Sequence, residues 1–259
     1  MLKIRTLLAS LMLFTLTFLT AQDISGVWQG VSYITSGTNY YVLTLTLQQS
    51  GNNLTGSGLT KSVISPNYAI QTVAGTINAN AFTFADQAII EQLGGGWCMR
   101  VGTLTFDPNL EKLSGIVETR ICGATSITME LYRLKIFADT VICTAKTVAI
   151  RATGKNLRWY ADSTKTRLIH TGDSISPYIN RDTTFYVTQS LYNTESPVVP
   201  ITIRFDRHYN VSQTLKICTG QSVTVGDTIY RTNGTYIKKL FSKKGCDSIV
   251  TTNLTLLPT

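Results

Sequence analysis

Short runs of alternating apolar and polar residues, separated by clusters of Gly, Asn, Asp and Ser, occupy nearly all of the chain after residue 21. Patterns with the period of a helix are nearly absent. In residues 43–47 three leucines alternate with two threonines, so an extended strand would be apolar on one face. Short strands with closely spaced turn signals are typical of β-sandwiches and β-barrels. The sequence therefore predicts an all-β protein.

The first predicted module covers residues 22–135 and contains eight candidate strands. Turn-forming residues join several of them, for example at 50–53 and 107–109. The strands are predicted at 27–34, 41–49, 54–60, 70–77, 81–88, 97–106, 113–121 and 126–134. Eight consecutive strands with short turns can pair first to last, which removes both free edges. We therefore expect an eight-stranded up-and-down barrel, followed by smaller modules.

The first 21 residues have the pattern of a secretory signal peptide. A short basic start precedes an apolar run at 7–19, and the small residue Ala21 suits cleavage before Gln22. The apolar run is shorter than the roughly 20 residues that span a bilayer. We expect an exported protein, secreted or at the cell surface, without a membrane span.

The formal net charge of +8 is unevenly distributed, because the positive excess of the predicted mature chain lies after residue 135. A basic second half favours acidic polymers or an anionic surface as partners. Solvated lysines at strand edges are the alternative explanation. Nucleic acid is not expected as a partner, because aromatic and basic residues do not interleave.

The start of the first predicted strand, Gly26–Trp28, has a G-x-W pattern that resembles lipocalin- and avidin-like barrels. In such barrels a basic side chain of the last strand packs on the tryptophan, and Arg133 has the corresponding place. The resemblance implies that this stacking shields the open end of the barrel. Trp28, Trp97 and Arg133 are then candidate ligand contacts, although Trp28 is also explained as a structural plug and the interior as filled by side chains. Three glycines at 94–96 precede Trp97 and indicate either a lid or a wide turn.

Residues 136–205 resemble the small Ig-like modules of secreted Bacteroidetes proteins, of the type associated with gliding motility and sorting. The order of short motifs carries this resemblance: 148–160, 171–175, 183–189 and 195–197. It implies a compact sandwich with Trp159 in the core and Tyr186 in a late strand.

Residues 211–259 form a third predicted module, with the motif Gly-Cys-Asp-Ser-Ile-Val at 245–250. It is similar to a short repeat of the same class of cell-surface proteins, and we expect a small Ig-like sandwich. So short a segment makes a thin core, for which a covalent link is expected.

The chain has five cysteines, and export favours their pairing. Cys98 and Cys122 are the natural pair within the barrel, between its sixth strand and the end of its seventh. The resemblance of the third module implies a pair between Cys218 and Cys246. Cys143 is then expected to be a free, buried thiol, because the position where the Ig-like family usually has its partner is not a cysteine here.

Catalytic and metal-binding patterns are weak in this sequence. The two histidines, His170 and His208, lie in different modules, and no C-x-x-C motif is present. We expect no enzyme activity, no metal site and no cofactor.

Asp followed by Ser or Thr and then Ile, Val or Thr recurs in the second half of the chain. This triplet resembles the O-glycan acceptor motif of exported Bacteroidetes proteins, while turn formation by Asp-Ser and Asp-Thr is the alternative explanation. The candidate acceptors are Thr140, Ser163, Ser174, Thr183, Thr228 and Ser248.

Together these features predict an exported, non-catalytic binding or adhesion protein. The barrel would recognise a small ligand, a glycan or a cell-surface partner, and the Ig-like modules would act as a spacer. A lipocalin-like carrier of a small apolar molecule is one alternative, and an accessory part of a secreted hydrolase is another.

Overall fold

A computed structural model describes residues 22–34, 40–120, 122–123, 125–241 and 246–258. The predicted signal peptide at 1–21 and Ile121, the last residue of the predicted seventh strand, lie outside the described residues. All regular secondary structure in the described residues is β-strand, so the predicted all-β class is confirmed. The described part of the chain includes no helix with the length and apolar character needed to cross a membrane.

The first eight strands form the predicted closed antiparallel barrel. Their bounds are β1 Gly26–Ile34, β2 Tyr40–Ser50, β3 Asn53–Ser62, β4 Tyr68–Asn78, β5 Ala81–Leu93, β6 Met99–Asp107, β7 Lys112–Arg120 and β8 Ser126–Phe137. Each strand pairs with the next, and β1 also pairs with β8, from Val27 opposite Leu134 to Ile34 opposite Ile127. This last pairing closes the sheet into a cylinder.

Alternation along the strands builds the core of the barrel. Leu43, Leu45 and Leu47 of β2 are buried in the interior, as is Trp28 of β1, which lies opposite Leu45. Phe82 and Phe84 of β5 stack with their ring centroids 5.4 Å apart. These apolar side chains fill the barrel at the end where Trp28 lies, so this half of the interior is a packed core.

The Ig-like module follows with eleven short strands. Their bounds are β9 Val141–Ile142, β10 Lys146–Thr147, β11 Ile150–Thr153, β12 Arg158–Tyr160, β13 Leu168–Thr171, β14 Ser174–Ile175, β15 Tyr178–Ile179, β16 Thr183–Thr188, β17 Ser190–Leu191, β18 Thr194–Glu195 and β19 Val199–Phe205. One sheet has the order β13-β12-β16-β19-β9. Trp159 is fully buried in the core and Tyr186 lies in β16, so both predicted positions are confirmed.

The barrel and the Ig-like module are joined through β8. The first part of β8 closes the barrel, and its last residues, 135–137, pair with β11. Val27 and Leu134, on the outer wall of the barrel, belong to the same hydrophobic cluster as Trp159. In addition, the Gln29 side chain donates a hydrogen bond to the Thr194 carbonyl at 3.2 Å. The two modules therefore share one strand, and the core of the Ig-like module extends onto the outer wall of the barrel.

The last module has five strands: β20 Asn210–Cys218, β21 Val223–Val225, β22 Thr228–Tyr230, β23 Gly234–Phe241 and β24 Asp247–Leu257. β20, β24 and β23 form a three-stranded sheet in that order, and β21 and β22 form a hairpin. Among its described residues the apolar side chains that are fully covered are few, chiefly Val225 and Leu254. The thin core that the sequence predicted is thus observed.

The structure contains two disulfides, and one of the predicted pairs is wrong. Cys98 is bonded to Cys122 as predicted, but Cys246 is bonded to Cys143, and Cys218 is exposed with a free thiol. The reason is the parallel pairing of β20 with β24, which places Cys218 opposite Leu257, at the far end of the strand that Cys246 precedes. At roughly 3.3 Å per residue the two cysteines are about 36 Å apart along the strands, whereas a disulfide needs Cα atoms within about 7 Å.

Cys143 is therefore not the free, buried thiol that the sequence predicted. It directly follows β9, which pairs in parallel with the end of β19, and the chain leads from β19 into β20. The start of β24 is held at the same place, because the Ile249 amide donates to the Tyr209 carbonyl at 2.9 Å. The Cys143–Cys246 bond therefore links the last module to the Ig-like module.

Candidate functional site

One end of the barrel is sealed by Trp28 and by the residues that precede β1. Ile24 is buried in the barrel core, and the indole nitrogen of Trp28 donates to the Ile24 carbonyl at 2.9 Å. The guanidinium carbon of Arg133 lies 5.7 Å from the centroid of the Trp28 ring, so the predicted contact between the two is present. Trp28 also meets Phe106 edge-on. The stacked pair therefore covers this end of the barrel, which agrees with the shielding that the resemblance implied and with the interpretation of Trp28 as a structural plug.

Ion pairs complete the seal around Arg133. Its Nη1 donates to the Asp23 carbonyl at 2.7 Å and lies 3.3 Å from Glu111 Oε2, while its Nη2 lies 3.5 Å from Asp23 Oδ2. Lys135 pairs with the other oxygen of Glu111. Burial acts to raise the pKa of Asp23, but hydrogen bonds from Ser25 and the charge of Arg133 outweigh it and hold this pKa below its ordinary value. The donors and acceptors of this cluster are used within the fold.

The opposite end of the barrel contains a cavity of about 140 Å³. We call it the mouth cavity. Its apolar wall includes Tyr41, Trp97 and Ile127, and its polar side chains include Thr60, Gln71 and Arg100. Mixed walls of this kind, apolar with a few convergent polar groups, are typical of small-molecule sites.

Arg100, which lines the mouth cavity, forms a buried ion pair with Asp86, which does not line it, and we call this pair the floor of the cavity. Arg100 Nε lies 2.8 Å from Asp86 Oδ2, Arg100 Nη2 lies 3.2 Å from Asp86 Oδ1, and the two side chains are 3% and 0% exposed. The strands create this arrangement, because the β5–β6 ladder ends at Ala85 opposite Val101. The backbone amide of Arg100 then donates to Asp86 Oδ2 at 2.8 Å in place of a strand partner.

One nitrogen of this pair is not used within the described residues. Arg100 Nη1 is buried and has no hydrogen-bond partner there. A buried donor without a partner carries a substantial desolvation penalty, so its presence in a native fold calls for an explanation such as a ligand or an ordered water. Arg100 lines the mouth cavity, but Nη1 itself is covered, so a partner that enters the cavity reaches Nη1 only when the side chains that cover it move aside.

Neither Asp86 nor Arg100 was identified as a site residue from the sequence. The available signal is the alternation itself, since Asp86 continues the inward series of Phe82 and Phe84, and Arg100 shares its strand face with Leu104. A charged residue at an inward position of a strand is expensive to bury without a partner. Such positions therefore indicate paired charges inside the barrel.

The three glycines and Trp97 lie at the rim of the mouth cavity, on the connection between β5 and β6. Gly94 and Gly96 have positive φ angles of 80° and 78°. The Trp97 indole donates to the Leu93 carbonyl at 3.1 Å, and the ring meets Tyr41 edge-on with centroids 5.8 Å apart. The Cys98–Cys122 disulfide anchors the chain directly after the tryptophan. Of the three predicted ligand contacts, the structure places Trp97 at the cavity, while Trp28 and Arg133 lie at the sealed end.

The other predicted positions are on the surface or isolated. The candidate O-glycan acceptors Thr140, Ser163 and Ser174 are exposed, and the other three, Thr183, Thr228 and Ser248, are half-buried. Asp162, which precedes Ser163, accepts hydrogen bonds from the amides of residues 164, 166 and 167, so this triplet also has a turn-forming role. Within the described ranges no three His, Cys, Asp or Glu side chains are grouped as metal ligands.

Comparison with known proteins identifies one part of the chain. Residues 135–206 match the family described as "Ig-like domain CHU_C associated". The match covers the Ig-like module, from the last residues of β8 to just after β19, and does not include the mouth cavity. A search of the curated proteins finds no match to this sequence.

Proposed function

We propose that this chain is an exported, non-catalytic binding protein whose barrel takes a small ligand in the mouth cavity. The observation that carries the proposal is the contrast inside the barrel, where one half is a packed core and the other encloses a cavity over a buried polar floor. Trp97 and Tyr41 provide aromatic surface at the rim. Aromatic and polar groups in one concave site are what a small ligand requires.

The size of the mouth cavity favours a single ring over a lipid. At about 140 Å³ it is close to the roughly 150 Å³ of an engineered apolar cavity that binds benzene. A long acyl chain needs a deeper apolar channel, and here the space below Arg100 is filled by side chains such as Leu45 and Phe84. A small, partly polar molecule or the terminal sugar of a glycan is therefore favoured over the lipocalin-like carriage of a large apolar molecule.

The Ig-like module would hold the barrel in a fixed orientation. The end of β8 pairs with β11 of this module, and the core of the module includes two residues of the barrel wall, Val27 and Leu134. A shared strand, together with barrel residues that are buried in the core of the next module, resists bending more than a linker does. We propose that the module is a rigid support that presents the mouth cavity to a ligand or to a surface glycan.

A ligand screen on the full mature chain tests the proposal. The full chain is required because Val27 and Leu134 pack into the Ig-like core, so the barrel is not a self-contained unit. A library of single-ring compounds and monosaccharides would be screened by ligand-observed NMR. Ile34, half-buried at the rim, would be replaced by Trp to fill the mouth cavity, and Ile116, 61% exposed on the outer wall, gives the matched control variant.

We expect saturable binding that Ile34→Trp abolishes and Ile116→Trp leaves unchanged. Binding that is equal in both variants would place the ligand outside the mouth cavity. The complete absence of a ligand in the library would likewise contradict the proposal.

Export and glycosylation are part of the same proposal and have a separate test. Two disulfides are typical of proteins that leave the cytosol. Intact-mass and N-terminal analysis of natively secreted protein should show a chain that starts at Gln22, with sugar attached at the Asp-Ser and Asp-Thr triplets. A secreted chain with the unmodified mass would contradict the proposed glycosylation. A secreted chain that still contains residues 1–21 would contradict the proposed signal peptide.

A further inference from the structure

The chemistry of the expected ligand can be inferred from Arg100 and its surroundings. Two nitrogens of the guanidinium are occupied by Asp86, and Nη1 remains without a partner among the described residues. A group that satisfies Nη1 must accept a hydrogen bond. The ligand therefore needs an oxygen or nitrogen acceptor directed at the floor of the mouth cavity.

The charge balance of the floor favours an uncharged acceptor. Asp86 already neutralises Arg100, and the neighbouring polar side chains of the cavity, Ser32, Thr60 and Gln71, are neutral. An anionic ligand would add a second buried negative charge beside Asp86 without a cation to compensate it. The desolvation of such a charge is costly, whereas a neutral acceptor gains a hydrogen bond from a charged donor.

The shape of the upper cavity favours a ring. Tyr41 and Trp97 provide the aromatic surface and Ile127 an aliphatic one, around a space of about 140 Å³. A flat or chair-shaped six-membered ring fits this volume and contacts such surfaces over its faces.

We propose that the mouth cavity takes one uncharged six-membered ring whose carbonyl or hydroxyl oxygen accepts a hydrogen bond from Arg100 Nη1. This inference rests on the proposed function of the barrel and specifies the ligand class of the same site. The ring can be aromatic or the pyranose of a sugar, since each can be an uncharged six-membered ring with an oxygen acceptor.

Three probes of nearly equal size test the acceptor and its charge. Acetophenone carries a neutral acceptor, cumene carries none, and benzoate carries an anionic one. We expect acetophenone to bind the full mature chain at least about tenfold more tightly than either of the others, as measured by NMR titration. Equal affinity for acetophenone and cumene, or tighter binding of benzoate, would overturn the inference.

Arg100→Lys tests the donor. This variant keeps a cation beside Asp86 and removes Nη1, so acetophenone should bind about tenfold more weakly while cumene binds as before. The matched control is Lys112→Met, which removes the cation of the Lys112–Glu130 pair, a pair that lies away from the mouth cavity. If Arg100→Lys does not fold, the double variant Asp86→Leu, Arg100→Met removes donor and counter-ion together and should show the same loss of preference.

Methyl β-glucopyranoside distinguishes the two sources of the ring. Binding that Arg100→Lys weakens assigns the cavity to a sugar, whereas binding of acetophenone alone assigns it to an aromatic molecule. If all four probes fail while the library yields other ligands that Ile34→Trp blocks, the inference is wrong and the proposed function stands.

Discussion

The two ends of the barrel each contain a buried arginine, and the two arginines differ in what they leave unused. Arg133 stacks over Trp28, and its charge is shared between Asp23 and Glu111. Arg100 is held by Asp86 alone among the carboxylates, and its Nη1 has no partner in the described residues. At the sealed end the charged groups around Arg133 form ion pairs and hydrogen bonds with one another. At the mouth, one hydrogen-bond donor of Arg100 has no partner in the described residues and belongs to a side chain that lines a cavity.

We propose that this difference lets one barrel combine stability with ligand binding. At the sealed end Trp28, Ile24 and Phe106 close the interior, so the guanidinium of Arg133 serves the fold. At the mouth the interior is not filled, and the ion pair with Asp86 fixes Arg100 in the lining of the cavity. A site that is held by buried partners loses little entropy when it binds.

The largest expected effect is at the sealed end. Trp28→Ala should lower the free energy of unfolding by about 4–5 kcal/mol, because a fully buried tryptophan leaves a large cavity. Trp97→Ala at the rim should cost less than about 1 kcal/mol, since Trp97 is half-buried. Urea denaturation of both variants checks this, and equal losses would contradict the division between a sealed end and an open end.

Arg100→Met should be the next most destabilising change, by about 3–4 kcal/mol, because it leaves the carboxylate of Asp86 buried without its cation. The double variant Asp86→Leu, Arg100→Met should return to within about 1 kcal/mol of the wild type, since it removes both charges. The same denaturation measurement applies. A double variant as unstable as the single variant would contradict the explanation that the loss comes from an unpaired buried charge.

Arg133→Met, the matched substitution at the sealed end, should cost only about 1–2 kcal/mol. Glu111 keeps its pair with Lys135, and Asp23 is largely exposed, so the loss is mainly the contact with Trp28. Urea denaturation of the two Arg→Met variants would show whether the ion pair at the mouth contributes more to the free energy of unfolding than the ion pairs at the sealed end. A larger loss for Arg133→Met would reverse this ranking.

The smallest expected effect concerns pH at the sealed end. The pKa of Asp23 is held below its ordinary value of 3.8, so its stabilising effect is present above that pH and is lost as the pH falls through the lower, folded-state pKa. Asp23→Asn should therefore reduce stability at pH 7 by about 0.5 kcal/mol, since the side chain is 69% exposed. Denaturation at several pH values should show this difference shrinking below pH 4, and a difference that grows on acidification would be inconsistent with the ion pair.

Local patterns were sufficient for the barrel. Alternation and turn residues located all eight barrel strands, and the contact between Trp28 and Arg133 was expected from the resemblance to lipocalin- and avidin-like barrels. The Cys98–Cys122 pair was also predictable, because it joins neighbouring strands of one meander. Each of these features depends on sequence neighbours or on adjacent strands, whose pairing leaves few alternatives.

The strand pattern and the all-β class were thus determined by the sequence itself, because period-two alternation decides which side chains face a common interior. The tertiary structure alone decided three further features: the partner of Cys246, the shared β8 strand and the unpaired nitrogen of Arg100. The parallel register of β20 with β24 separates Cys218 from Cys246, and no local pattern contains that register. The ion pair likewise arises where the β5–β6 ladder ends, a point that no local sequence pattern marks.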